Sequence, residues 1–294
     1  MSLRLQDQIK GGLFGVAIGD ALGGTTEFMD RNEIMKKHGY LKEIIGGGVW
    51  QLEKGEVTDD TMMTICVAEG ICENPHQPMH AIGEKFLAWY RTDPKDIGNI
   101  IRRVLSTYRG NWLEAAFGAD LDLGQSAGNG SLMRCLPVGL SYPNAAEMEK
   151  QARMQSKMTH YDNRCNEACE IYSRIVFRLL HQESLTDSIE QEIRHSAYAR
   201  LLKEGPNCEP SGFVVHSFSW VLHILLHANS FLDVVQQAAN LGGDSDTIAA
   251  IAGGLAGVHC GYEQIPDSHS GVILIKDQLE SLSQRIYELR LSLL

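Results

Sequence analysis

Glycine recurs at a fixed step of four in two otherwise apolar stretches of this chain. The first row is Gly11, Gly15, Gly19 and Gly23; the second is Gly253, Gly257 and Gly261. A step of four places residues along one face of an α-helix. Each glycine inside a helix costs about 1 kcal/mol relative to alanine, so a row of them needs a compensating gain. Close approach of another helix along a ridge without side chains supplies one. The two segments are therefore expected to be central helices, each packed closely on other helices. The Gly23-Gly24 pair reads equally well as a helix end or a loop.

The rest of the 294-residue chain carries the same helical signature. Leu279, Leu282, Ile286, Leu289 and Leu293 step by three and four, one apolar helix face. Comparable segments are 6–22, 60–72, 79–90, 96–108, 145–158, 165–180, 212–226, 232–240 and 247–258. Breakers separate them at Asn74-Pro75, Asp93-Pro94, Pro143-Asn144 and Gly205-Pro206. Only short stretches such as 41–45 resemble strands, and no low-complexity linker divides the chain. The reading is all-α, with one domain over residues 1–294.

Composition narrows the function. With 44% hydrophobic and 21% charged residues, the chain has enough apolar content to fold. A net charge of −11 without any Lys/Arg run argues against a nucleic-acid-binding stripe. The longest apolar stretch, Ile248–Val258, is too short to span a bilayer, and the polar first ten residues lack the apolar region of a secretion signal. Seven scattered cysteines, none in a CxxC pair, read as reduced thiols of a cytoplasmic protein. Cys165 and Cys169 share a helix face and read as packing. A monomer is expected, because no separate oligomerisation segment is evident.

Two acidic motifs stand directly before helical runs: Thr58-Asp59-Asp60-Thr61, and Gly242-Gly243-Asp244-Ser245-Asp246-Thr247. Either alone is explained by helix capping and the helix dipole. Capping needs one side-chain oxygen, however, and each motif supplies two carboxylates and at least two hydroxyls. With Glu27, which follows the first glycine row, they form a five-carboxylate, all-oxygen donor set. Such a set suits hard divalent cations and not zinc. Two Mg²⁺ or Mn²⁺ ions would nearly cancel its charge.

Other candidates are weaker. The turn Gly128-Asn129-Gly130-Ser131 precedes an apparent helical run, 132–136, and could present N–H groups to an anion. Asp96 opens the DIGN segment, where it could be an ordinary cap. His160 reads equally as a cap or a ligand contact. His223 and His227 share an apolar helix face and read as structural.

These residues together resemble the ADP-ribosylglycohydrolase family. The resemblance rests on GVAIGDALGGTTEF (15–28), VTDDTM (57–62), DIGN (96–99), GNGSLMR (128–134), SGFVV (211–215) and NLGGDSDT (240–247), in that order. It implies a single compact domain of orthogonal helices around a dinuclear Mg²⁺ or Mn²⁺ centre. It also implies hydrolysis of the glycosidic bond between ADP-ribose and an acceptor, with an ADP-ribosylated protein or small conjugate as partner. Carried over motif by motif, Thr58, Asp59, Asp60, Asp244, Asp246 and Thr247 would hold the metals. Glu27 would stand beside them, and Asp96 would face the scissile linkage; these two are the catalytic candidates. Substrate contacts would come from Gly98, Asn99, Gly128, Asn129, Gly130, Ser131, Met133, His160, Gly212 and Phe213, with the 128–131 turn on the diphosphate and Phe213 near the adenosine.

The chain departs from the family at His216, where many relatives have aspartate, and at Ile100 and Ile101, where threonines are common. The retained DIGN segment makes arginine the first choice of acceptor. Serine, O-acetyl-ADP-ribose and nucleobase linkages, a dinuclear phosphoesterase, and a catalytically silent member of the fold are the alternatives.

Overall fold

A computed structural model describes residues 2–294 of the chain. In order, the α-helices are α1 (Ser2–Gly23), α2 (Arg31–His38), α3 (Asp59–Glu73), α4 (Pro78–Tyr90), α5 (Asn99–Thr107), α6 (Trp112–Leu123), α7 (Leu136–Ser141), α8 (Ala145–Lys157), α9 (Asn163–Leu180), α10 (Leu185–Ile193), α11 (Val214–His227), α12 (Phe231–Ala239), α13 (Ser245–Cys260), α14 (Asp267–Ser270) and α15 (Lys276–Ser292). Among the described residues there is no β-strand, only isolated bridges at Gly47–Leu52 and Gly128–Phe213. The strand-like segment 41–45 is irregular chain, its backbone bonded instead to the Asn240 side chain. One contiguous apolar cluster runs through the helices, with a small satellite between α5 and α6. No helix among the described residues is long and apolar enough to cross a membrane, and all seven cysteines are unpaired.

The two glycine rows pack against each other. Helices α1 and α13 run antiparallel, and α13 is the main partner of α1. A Cβ on Gly15 would stand 2.1 Å from the Gly253 carbonyl oxygen; one on Gly19 would stand 2.0 Å from that of Ala249. The relation is reciprocal, since a Cβ on Gly253 or Gly257 would meet the Gly15 or Gly11 carbonyl at 2.3 and 2.0 Å. Backbone therefore lies on backbone along nearly the whole of both helices, and dispersion contacts offset the low helix propensity of glycine. Gly261 falls outside α13, where it ends the helix with φ +82°.

This seam decides where the acidic residues go. At its far end Gly23 abuts Ser245 and Asp246, the first residues of α13. The Ser245 hydroxyl donates to the Gly23 carbonyl at 3.1 Å and lies 3.1 Å from the Thr26 hydroxyl, which itself donates to the Ala239 carbonyl. Glu27, one residue beyond, is thereby set beside Asp244 and Asp246.

Besides the four-residue α14, helices α2, α6 and α10 escaped the periodicity reading. Helix α2 is mostly polar with one buried residue, Ile34; α6 leaves Leu113, Phe117, Leu121 and Leu123 exposed; α10 is short. Their N-termini are capped by Asp30, in a capping box with Glu33, by Asn111 and by Ser184. The helical run expected at 132–136 is instead a series of turns, and regular helix begins at Leu136.

Candidate functional site: an acidic cleft at the end of the glycine seam

A cleft of about 540 Å³ opens at this end of the molecule. Its lining includes Glu27, Asp59, Asp96, Asp244 and Asp246 on one side, and Ile100, Ile101, Gly128, Gly130 and His160 on the other. No lysine or arginine is among the lining residues.

Neither acidic motif acts as a cap. Thr58 and Asp244 occupy the N-cap positions of α3 and α13, yet neither side chain accepts a backbone N–H of its helix. The Thr58 hydroxyl donates to Asp60 Oδ2 at 3.4 Å, and Thr247 Oγ1, from the other motif, donates to the same oxygen at 3.2 Å. Asp244 Oδ2 accepts from the Asn129 side chain at 2.5 Å, and Asp59 Oδ2 accepts from the Gly98 amide at 3.0 Å. The two motifs, 187 residues apart in sequence at Asp60 and Thr247, thus meet directly. Glu27, Asp244 and Asp246 each offer a carboxylate oxygen within 4.8 Å of one another.

The remaining hydroxyls of the motifs face elsewhere. Thr61 donates to Asp20 Oδ2 at 2.5 Å, and Ser245 ties α13 to α1. Asp20 is a residue that motif reading passed over. It is fully buried in α1 and accepts from the Thr58 amide, the Thr61 amide and the Thr61 hydroxyl. It thus moors the start of α3 to α1, as the glycine seam moors α13. Its signal was a lone aspartate in a glycine-rich apolar helix.

The electrostatics are those of crowded, dehydrated carboxylates. Burial pushes Glu27 and Asp59 up to about 7, with the neighbouring aspartates adding to the rise. Burial, then Asp59 and Glu27, push Asp96 up to about 9. Asp60 and Asp246 are driven well above the ordinary carboxylate range by burial first, and then by neighbouring charge, chiefly Asp59 and Asp20 for Asp60 and Glu27 and Asp60 for Asp246. One oxygen of each, Asp60 Oδ1 and Asp246 Oδ1, is buried with no hydrogen-bond partner. Buried carboxylate oxygens are rarely left unsatisfied, and here two of them stand within a five-carboxylate cluster. The donor set is all oxygen. A donor set of this kind could hold a hard divalent cation.

The other expected residues divide clearly. Gly98, Asn99, Gly128, Asn129, Gly130, Met133, His160 and Gly212 line the cleft. Ser131 and Phe213 do not. The Ser131 hydroxyl turns inward to Ser156 at 2.9 Å, and the Phe213 ring packs against His216 and under the Arg164 guanidinium. Phe213 serves the cleft through its neighbours: Asn129 donates to the Gly212 carbonyl and Val214 to the Ala127 carbonyl. Asp96 does not cap α5, whose N-cap is Gly98; its side chain faces the cleft. The 128–130 turn needs glycine because Ile100 and Ile101 press on it, their Cδ1 atoms 2.9 and 2.8 Å from where a Cβ on Gly128 or Gly130 would lie. His216 bonds Ser211 at 2.9 Å and is not itself a lining residue.

Two aromatic residues at the mouth were also passed over. Trp50 Nε1 donates to Glu27 Oε2 at 2.5 Å, and its ring meets Phe28 edge-on at 6.3 Å. Phe28 is exposed and held at φ +62°, with its amide on the Gly243 carbonyl. Gly242 and Gly243 both have positive φ, and a Cβ on either would strike the Met29 or Pro210 carbonyl. That contact is why two glycines precede Asp244.

A family model described as ADP-ribosylglycohydrolase matches residues 1–292. The chain belongs to the ADP-ribosylglycohydrolase family. It is 32% identical over 264 residues to the ADP-ribosyl-[dinitrogen reductase] glycohydrolase of Rhodospirillum rubrum, covering 89% of this chain and 88% of that one. It is 27% identical over 300 residues to the ADP-ribosylarginine hydrolase Tri1 of Serratia proteamaculans, covering 96% and 79%. ADP-ribosylhydrolase ARH3 of Danio rerio is 24% identical, covering 96% and 90%. A solved structure titled ADP-ribosylglycohydrolase-related protein complex superposes with a TM-score of 0.84 at 28% identity, covering 98% of this chain and 99% of that one. Family members of this kind are hydrolases of ADP-ribose linkages, and the acidic cleft lies at the motifs that carry the likeness.

Proposed function

We propose that the chain is a divalent-cation-dependent hydrolase that cleaves the bond between ADP-ribose and an arginine side chain of a protein. The observation that carries this reading is the charge at the cleft: five lining carboxylates with Asp60 adjoining them, two orphaned carboxylate oxygens, and no lysine or arginine in the lining. The balancing positive charge must come from ions and from the substrate.

Thr58, Asp59, Asp60, Asp244, Asp246 and Thr247 would hold two Mg²⁺ or Mn²⁺ ions, with Glu27 alongside. When bound, such ions supply Lewis acidity toward water and the ribose hydroxyls and offset the carboxylate charge. Glu27 is oriented by Trp50, which leaves its other oxygen to accept a proton from an attacking water. Burial, and then the charges of Asp59 and Glu27, favour the protonated form of Asp96. A guanidinium brought against it relieves that crowding, so the carboxylate ionises onto the cation through charge-assisted hydrogen bonds. The leaving group is thus positioned by Asp96 as the C1″ bond loosens toward an oxocarbenium-like state. The turn at 128–130 and the donor on His160 would bind the diphosphate, and Ile100 and Ile101 keep that wall apolar. The Rhodospirillum and Serratia relatives, whose names specify a protein target and an arginine linkage, support the choice of acceptor.

The test is incubation with ADP-ribosyl-arginine in Mg²⁺, Mn²⁺ or chelator, with product analysis. Ion-dependent release of intact ADP-ribose is expected. Release of AMP would make the protein a phosphoesterase, and cleavage of serine-linked but not arginine-linked ADP-ribose would overturn the acceptor. Asp96→Asn should keep ion binding and lose turnover; a fully active variant removes Asp96 from the reaction.

A further inference from the structure

Arg134 is the largest fully buried side chain of the molecule, and no carboxylate pairs with it. Its Nε donates to Gln155 Oε1 at 3.0 Å, and its Nη2 donates to the Gln155 carbonyl at 3.0 Å and to Thr159 Oγ1 at 2.8 Å. The guanidinium lies 4.5 Å from the Phe86 ring centre. Thr159 Oγ1 is in turn 2.8 Å from His160 Nδ1. His160 is almost wholly buried, yet it lines the cleft. Its Nε2 is 3.4 Å from where a Cβ on Gly128 would be and 3.3 Å from the equivalent point on Gly130.

We infer that Arg134 and Thr159 are positioning residues that fix His160 as the neutral tautomer with its proton on Nε2, and so present that N–H at the glycine turn to an anionic, acceptor-only group of the ligand. Each buried donor here needs an acceptor. A threonine hydroxyl has one proton and two lone pairs. One lone pair of Thr159 receives the Arg134 N–H. If His160 Nδ1 also donated to this oxygen, the hydroxyl proton would be left in the interior, where the only other contact of that oxygen is the Arg134 donor. If the hydroxyl instead donates to Nδ1, every group is satisfied. A neutral ring with an acceptor at Nδ1 carries its proton on Nε2. Protonating both nitrogens is opposed by burial and, next, by the Arg134 cation, which push the imidazole down to about 3. The cleft thereby gains a fixed dipole that donates to a phosphate oxygen without adding a titrating charge beside five carboxylates. A lysine or arginine there would compete for those carboxylates.

The direct test reads the tautomer in ligand-free protein, so it does not depend on the proposed reaction. Histidine-labelled protein is examined by long-range nitrogen–proton correlation, with the His160 signal assigned by its loss in His160→Gln. The expected signal has a pyridine-like Nδ1 and a pyrrole-like Nε2, unchanged as pH passes through the ordinary histidine value near 6.5. Thr159→Val should mix the tautomers or let the ring titrate. It should also weaken ADP-ribose binding about tenfold, the worth of one hydrogen bond. Thr159→Ser should restore both. A wild-type His160 protonated at Nδ1 overturns the inference, and so does a Thr159→Val protein that keeps the pure Nε2 tautomer. If Thr159→Val does not fold, the wild-type spectrum alone decides. The affinity arm rests on the proposed function: wild-type protein that shows the expected tautomer but binds no ADP-ribose would count against that function and not against the relay.

Discussion

The seam between α1 and α13 and the cleft at its end adjoin each other, yet their physical chemistry is opposite. In the seam, side chains are absent, backbones touch, and Gly11, Gly15, Gly19, Gly253 and Gly257 leave no space for a methyl group. In the cleft, side chains crowd, carboxylates repel, and Asp60 and Asp246 each leave an oxygen without a partner. The seam stabilises the fold and sets the position of the acids. The acids destabilise the ion-free protein and, under the proposed function, carry the chemistry. Packing and buried charge are thus divided between the seam and the cleft, and the division can be broken at either end.

The largest effect is expected at the cleft. Asp60→Asn and Asp246→Asn should abolish ion binding and reduce turnover to background, as read by dialysis against Mn²⁺ and by ADP-ribose release. The same variants should unfold at a higher temperature than ion-free wild type, because a buried charge with no partner has been removed. A lower melting temperature in both would contradict the proposed contrast.

At the seam the sign reverses. Gly15→Ala or Gly19→Ala should cost about 3 kcal/mol or more, since the methyl group meets a carbonyl at 2.1 or 2.0 Å and neither backbone can yield locally. Denaturant unfolding measures the loss. Ion affinity should fall with it, because Glu27 and Asp246 are registered through that seam. Gly118 in α6 is the control: no atom lies within 4 Å of its added Cβ. Gly118→Ala should therefore stabilise by about 0.4–1 kcal/mol.

The pH dependence follows from the carboxylates. Glu27 and Asp59 are raised to about 7 and Asp96 to about 9, all above their unfolded values. The folded, ion-free chain therefore holds protons that the unfolded chain has released. Its stability should be fullest below about pH 4 as far as these groups decide it, and should decline as pH rises through 7 toward 9. Added Mg²⁺ should remove most of that decline. Calorimetry at stepped pH, with and without the ion, shows whether it does.

A smaller effect is expected at the mouth. Trp50→Phe keeps the ring and removes the donor to Glu27, so turnover should fall about tenfold with little change in stability. Unchanged turnover would show that Glu27 needs no such support.

Much of this was legible in the sequence because it is written in spacing. The four-residue glycine step is a property of one helix face, and it located both seam helices. TDDT and GGDSDT could be read as more than caps because they hold more oxygen than a cap uses. What could not be read is pairing across the fold. Asp20 looks like any helical aspartate until Thr58 and Thr61 are seen bonded to it. Trp50 lies in an irregular segment without periodicity, 23 residues from the Glu27 it holds. Ser131 and Phe213 sit inside matching motifs, but the motif does not say which side of the chain faces the cleft. Helices α2 and α10 bury few residues, so their apolar pattern is weak.

The central claim is that the seam gathers these carboxylates into a two-cation centre. Equilibrium dialysis of purified protein against Mn²⁺, with wild type beside an Asp60→Asn/Asp246→Asn double variant, tests it most directly. Two ions per wild-type chain and none in the folded double variant is the predicted result. No ion in folded wild type, or equal binding by both proteins, would contradict it.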